Sequence, residues 1–360
     1  MTLETPEVFV KRLVCSAVLS AFSLQAAPCS NVFSPDAYDG AAKQKYRSIG
    51  IFYRDNVRID KYRTAYLSRS RVEQLSAALE SGSAYRAYIR AKLAEHRLPP
   101  CLEYLPLVES GYKPTARSRS GAAGLWQFME NSIQPFMSKT EWLDERFDPW
   151  VSTDAAMTKL SDNYRMFGDW LLALAAYNSG AGAVRRALNQ SSAKTFWQLA
   201  DSGRLRRETV EYVPKFLAIA DVIMNAAYYG VSFPEIDEAE KPLFAYVPVK
   251  KPLDVVEFCA ELELDRPTFD YFNPALLRGI TPPAAAYQIR VPAEIHEKAA
   301  VVARNAKAAP YTVGYRVREG DTLWAISRRH KTTVAELCRI NRIRAESVLS
   351  VGALLHVPRD

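Results

Sequence analysis

A chain of 360 residues, 48% hydrophobic and 24% charged, is globular in composition, not disordered, and long enough for two or three domains. Its formal net charge of +7 suits an anionic partner but does not choose among nucleic acid, acidic membrane and anionic cell wall. No basic recognition motif accompanies that charge, so nucleic acid is not an expected partner. Five cysteines (Cys15, Cys29, Cys101, Cys259, Cys338) lack CxxC or metal-type spacing, and the four histidines are scattered. The pattern implies packed free thiols, no metal and no cofactor.

Lys11 and Arg12 precede the apolar run Leu13–Leu24, followed by the small-residue stretch QAAPCSN. That run is too short to cross a bilayer as a helix and matches the apolar region of a signal peptide, with a buried N-terminal helix as the alternative. Residues 1–29 are therefore expected to be a signal peptide, and the mature chain exported to the periplasm or cell envelope. Cys29 stands where a lipoprotein cysteine would stand. Ala26, Ala27 and Pro28 before it make a poor lipobox, so an outer-membrane lipid anchor stays open. Residues 30–70 are Tyr/Arg-rich, carry no motif and read as a lead-in.

From Arg71 the pattern turns helical. Ser83 is placed to cap a helix with Tyr85, Tyr88, Ile89 and Leu93 on one stripe, and Pro99–Pro100 ends it. A second helix over Cys101–Glu109 contains Pro106, which should kink it or keep it short, and Gly111 follows its end. A further helix start is expected at Trp126-Gln127-Phe128. Thr153 is the expected cap of a helix bearing Met157, Leu160 and Tyr164 and stopped by Gly168. Asp169 opens the next, whose run Trp170–Ala176 suits a buried central helix, broken by Asn178–Gly182. Glu208–Gly230 adds another, with Pro214 near its start. Residues 71–232 thus form an all-α domain.

Beyond the acidic, proline-bracketed linker FPEIDEAEKP, two segments resemble each other. Each gives strand, helix, short turn, helix ending in Asn (Asn273, Asn341), loop, strand and Val-Pro (Val291–Pro292, Val357–Pro358). Residues 243–293 and 311–359 are therefore two small βααβ modules, separated by a helical or flexible spacer. The fold class is α+β and multidomain.

Glu109 closes an apolar run at a helix C-terminus. The dipole there and burial beside Leu107 and Val108 both disfavour the ionised carboxyl, which is what a general acid near neutral pH requires. One Glu at a helix end is ordinarily a solvated residue, so its surroundings must decide. The stretches ESGYKPTARSRSGAAGLWQF, ALAAYNSGAGAV and ETVEYVPK follow in order over about 120 residues. Together they resemble the soluble-lytic-transglycosylase (SLT) family, which has a lysozyme-like fold. The departures are Trp126, where Met is common, and Val210, where Arg is common. The final YRVREGDTLWAISRRHKTTVAELCRINRI resembles a LysM module through Gly320, Asp321, Thr322, Leu323 and Asn341. The earlier module has Lys251-Pro252-Leu253-Asp254 instead and reads as a degenerate copy.

What the resemblance implies is a lytic transglycosylase acting on peptidoglycan glycan strands. Glu109 would be its single acid and base, and the products would carry 1,6-anhydromuramyl ends. Ser118, Gln127, Tyr177, Asn178 and Tyr212 would line the substrate cleft. The LysM module would bind N-acetylglucosamine chains around Gly320–Leu323. Two other readings stay open: a muramidase of the goose-lysozyme type, whose second acid would be Asp144, Glu145 or Asp148, and a non-catalytic wall-binding scaffold.

Overall fold

The computed structural model describes residues 46–236, 244–283 and 286–359. The expected signal peptide, Cys15 and Cys29 lie outside them. The described chain falls into two units: residues 46–137 with 146–236, and residues 138–145 with 244–359.

The first unit is helical: α1 (Val57–Tyr66), α2 (Arg69–Ser81), α3 (Ser83–Glu95), a 3₁₀ turn (Pro100–Tyr104), α4 (Leu105–Ser110), α5 (Pro149–Phe167), α6 (Trp170–Ser179), α7 (Ala181–Asn189), α8 (Phe196–Asp201) and α9 (Arg207–Met224). At its centre lies α6, buried from Leu171 to Tyr177, as its apolar run predicts. Met157 and Leu160 of α5 and Val213, Phe216 and Leu217 of α9 are buried with it. Residues 46–66, which carry no motif, pack onto α9 through α1. Asp221, fully buried, accepts hydrogen bonds there from Tyr46 Oη (2.7 Å), Arg63 Nε (2.7 Å) and Tyr229 Oη (2.8 Å). These bonds supply the partners that a buried carboxylate needs.

Several local expectations are displaced. Ser83 begins α3 but caps nothing; Gly82 precedes it, pressed so close to Tyr112 that a Cβ would lie 2.5 Å from the ring. Helix α5 starts earlier than Thr153 suggests. Pro149, already set for a first turn, follows Asp148, whose side chain accepts from the amides of Trp150 and Val151. Thr153 sits one turn inside, where its Oγ1 donates to the Pro149 carbonyl (2.6 Å) and accepts from Trp126 Nε1 (2.9 Å). Trp126-Gln127-Phe128 is a turn and not a helix start, with Gln127 at φ 51° and Ala123 bridged to Phe128. The Cys101–Glu109 stretch divides at Tyr104–Leu105, leaving Pro106 in the first turn of α4. Gly111 and Gly168 end their helices in the left-handed conformation at φ 63° and 64°.

The second unit contains two βααβ modules. One is β1 (Phe244–Val249), α10 (Val255–Leu262), α11 (Arg266–Phe272) and β2 (Tyr287–Pro292), followed by α12 (His296–Asn305). The other is β3 (Thr312–Arg316), α13 (Leu323–Arg329), α14 (Val334–Asn341) and β4 (Leu354–Pro358). Each strand pair is antiparallel, with Val247 opposite Ile289 and Tyr315 opposite Leu355. The same asparagine device locks both. Asn273 donates to the carbonyls of Phe269 and Arg290 and accepts from the Arg290 amide. Asn341 does the same with Leu337 and His356. Asp254 caps α10 as Thr322 caps α13, and Arg359 ties the modules through a 2.6 Å salt bridge to Asp254. Residues 138–145 belong to this unit. The Asp144 amide donates to Ala275 (2.9 Å), the Leu277 amide donates to Trp142 (2.9 Å), and the Trp142 ring packs with Ile280 and Ala309. The fold is α+β.

Candidate active site

Glu109 is the penultimate residue of α4. The helix end is braced by Ser110, whose Oγ donates to the Leu125 carbonyl at 2.7 Å, and by the buried Tyr112, whose hydroxyl donates to the Glu103 carbonyl at 2.7 Å. From α9, Tyr212 Oη donates to Glu109 Oε1 at 2.5 Å. Glu109 keeps partial solvent access. Burial pushes its carboxyl up to about 7, and the charge of Glu208 adds to the rise; the Tyr212 hydrogen bond and the ammonium groups of Lys215 and Lys159 pull the other way. Burial is the largest cause of that rise.

Burial pushes the Tyr177 phenol well above its ordinary range, and the nearby Glu109 charge adds to the rise. Its hydroxyl donates to the Trp126 carbonyl (2.9 Å), and its ring meets Phe128 edge-on. Asn178, next on α6, accepts from Thr209 Oγ1 of α9 at 2.8 Å. Ser118 and Gln127 hold the loop before α5. Ser118 Oγ accepts from the Ala122 amide (2.9 Å), and Gln127 Nε2 donates to the carbonyls of Gly124 (2.8 Å) and Ala116 (3.3 Å). Gly124 makes that loop: at φ 84°, a Cβ would fall 1.6 Å from the Arg146 carbonyl oxygen. Trp126 is wholly buried, so the Met-to-Trp departure changes the core under the loop.

Glu109 and Tyr212 are thus brought into contact, and Tyr177 into electrostatic range. Ser118, Gln127 and Asn178 are joined to other residues of the same loop and helices. Sequence reasoning missed Lys159 and Lys215, which act on Glu109 from α5 and α9. Their only signal was helical phase, since Lys215 lies three residues after Tyr212. Of the three acids weighed as a second base, Asp148 caps α5, Glu145 accepts from the Ser138 amide (2.6 Å), and Asp144 is buried in the second unit. Among the described residues, no group of three or more His, Cys, Asp or Glu side chains could hold a metal ion. No described helix is long and apolar enough to cross a membrane.

In the last module, Gly320 turns at φ 78° and Thr322 caps α13. Asp321 accepts from Tyr315 Oη (2.6 Å) and the Arg318 amide (2.8 Å), and Leu323 joins the module core. Each residue of the Gly-Asp-Thr-Leu stretch therefore has a structural task.

The transglycosylase SLT domain family matches residues 86–200, and the LysM domain family matches residues 315–358. These matches define an SLT domain joined to a LysM domain. Membrane-bound lytic murein transglycosylase D of Escherichia coli K12 is 32% identical over 326 residues, spanning 83% of this chain and 70% of the relative. The chain belongs to the lytic murein transglycosylases and is an enzyme of that class. Two solved structures overlap it in part, with no weight in that assignment. The Pseudomonas aeruginosa lytic transglycosylase Slt is 25% identical, covering 42% of this chain and 25% of its own, at a TM-score of 0.34. The 70 kDa soluble lytic transglycosylase of Escherichia coli is 22% identical, covering 45% and 30%, at 0.31.

Proposed function

We propose that this enzyme cleaves the bond between N-acetylmuramic acid and N-acetylglucosamine in peptidoglycan with Glu109 as its single acid and base, leaving 1,6-anhydromuramyl ends. The observation that carries this is Glu109 itself, buried to a carboxyl near 7 with one hydroxyl partner. A group titrating there is protonated often enough to donate to the bridging oxygen and acidic enough to recover as a carboxylate. The substrate's acetamido group assists departure, and the carboxylate then takes the proton of the muramyl C6 hydroxyl as that oxygen attacks C1. An intramolecular hydroxyl has a far higher effective concentration than loosely held water, so no second carboxylate is needed. The Tyr212 hydrogen bond favours the carboxylate and so helps the first proton leave. Ser118, Gln127, Tyr177 and Asn178 shape the cleft that holds the acetamido group and bridging oxygen.

The LysM module binds N-acetylglucosamine chains and keeps the enzyme on its polymeric substrate by raising local concentration. The enzyme works in the cell envelope after export, and Cys29 is the residue a lipid anchor would use. Mass spectrometry of digested peptidoglycan tests the reaction: the new muramyl ends should be lighter than hydrolytic ends by one water. Reducing muramyl ends would make the enzyme a muramidase. No new ends of either kind, from folded protein, would make it a binding scaffold.

A further inference from the structure

Lys159 on α5 and Lys215 on α9 are both half-buried. Among the described residues neither makes a salt bridge or a hydrogen bond, although burial penalises each ammonium group. Lys159 Nζ lies 5.1 Å from the centre of the Phe128 ring and 5.5 Å from that of Tyr177, the edge-on pair on the Glu109 side of the unit. A cation over two ring faces is partly compensated, yet the rings cannot replace hydration or a counter-ion. Lys215 follows Tyr212, whose hydroxyl meets Glu109, by one helical turn. Both lysines act on Glu109 through space without bonding to it. When Glu109 is protonated, as the donating step requires, the two ammonium groups lose the one carboxylate that they share. What remains is a pair of under-compensated cations on two helices beside the reacting carboxyl.

We propose that Lys159 and Lys215 form a cationic subsite for a carboxylate on the lactyl arm of the muramyl residue, whether the free lactyl group or a residue of its stem peptide. The inference rests on the muramyl substrate proposed above. N-acetylglucosamine has no such arm, so the pair distinguishes the muramyl sugar from its neighbour by charge. Binding of the anion returns a counter-charge to two desolvated ammonium groups, and such charge-assisted bonds are the strong ones.

The test is calorimetric binding to the full chain carrying Glu109→Gln, which prevents turnover. Three probes are used: neutral chitopentaose, a peptide-free muramyl tetrasaccharide and the same tetrasaccharide with stem peptides. Lys159→Met and Lys215→Met should each weaken a carboxylate-bearing probe about five- to tenfold, and chitopentaose less than twofold. The difference should shrink in 0.5 M salt, and Lys159→Arg should restore most of it. Weakening of the peptide-free probe alone assigns the lactyl carboxylate, which a stem peptide converts to an amide. Weakening of the peptide-bearing probe alone assigns the stem, and weakening of both shows that either carboxylate fills the subsite. Equal weakening of all three probes, or none, overturns the proposal. Separately, wild-type product ends report on the reaction, so an enzyme that makes anhydro ends yet shows no charge discrimination loses only this inference.

Discussion

Glu103 and Glu109 stand six residues apart on one short stretch of chain, and their surroundings differ in almost every respect. Glu103 is 3% exposed and accepts from Arg86 Nε (2.7 Å) on one oxygen and Arg90 Nε (2.6 Å) on the other, with Arg86 itself 2% exposed. Glu109 has no salt bridge among the described residues; it has one tyrosine hydroxyl and two ammonium groups acting at longer range. An acid clamped by two guanidinium groups has no oxygen free for a substrate and no route for a proton. An acid met by one hydroxyl keeps an oxygen available and a carboxyl poised near 7. The difference lies in the partners and in access: Glu103 is sealed between two guanidinium groups, whereas Glu109 keeps partial contact with solvent.

Breaking the contrast at Glu109 should have the largest effect. Glu109→Gln is expected to lower muropeptide release about 10³- to 10⁴-fold without unfolding the protein, since an amide can neither give nor take the proton. Release within tenfold of wild type would remove Glu109 from the chemistry. The opposite outcome is expected at the other acid. Glu103→Gln strands buried Arg86 and should cost about 3–5 kcal/mol of stability, read by denaturant unfolding. A loss below about 1 kcal/mol would mean that the two arginines find other partners.

The pH dependence of stability sharpens the same contrast. The folded carboxyl of Glu109 titrates near 7, above its ordinary 4.5, so the folded state holds the proton more tightly than the unfolded state does. Its contribution is therefore fully present below 4.5 and lost as pH rises through 7. Glu109→Gln should make the protein more stable than wild type at pH 8, by up to about 3 kcal/mol, with the gap closing near pH 4. A gap independent of pH would place its origin elsewhere. Tyr212→Phe should have the smallest effect. Losing the hydroxyl removes an interaction that favours the carboxylate, so the alkaline limb of the rate profile should move to higher pH and the rate should fall about tenfold. An unmoved limb would leave Tyr212 a packing role only.

Much of this arrangement is legible locally. Glu109 at the end of an apolar run, Gly111 and Gly168 past their helices and Asp169 at a helix start follow from rules that act over four or five residues. The asparagine that closes each βααβ module shows because it recurs. Glu103 was not legible: inside CLEYLPLV it looks like one polar residue on an apolar segment, and its partners lie 13 and 17 residues upstream on another helix. The Glu109–Tyr212 bond spans 103 residues, and only an ordered set of motifs brought its ends together in advance. Lys159 had no motif around it, and Thr153 was displaced as a cap by Asp148 five residues earlier.

Residues 138–145 bear on how such a chain can be rearranged. They are encoded within the first unit, yet their backbone bonds and the Trp142 ring belong with residues 275–309 of the second. A cut at the linker near residue 240 would leave Trp142 bare on one fragment, and Ile280 and Ala309 uncovered on the other. Exchanging the C-terminal modules between relatives would therefore expose both of these faces unless residues 138–145 were exchanged with them.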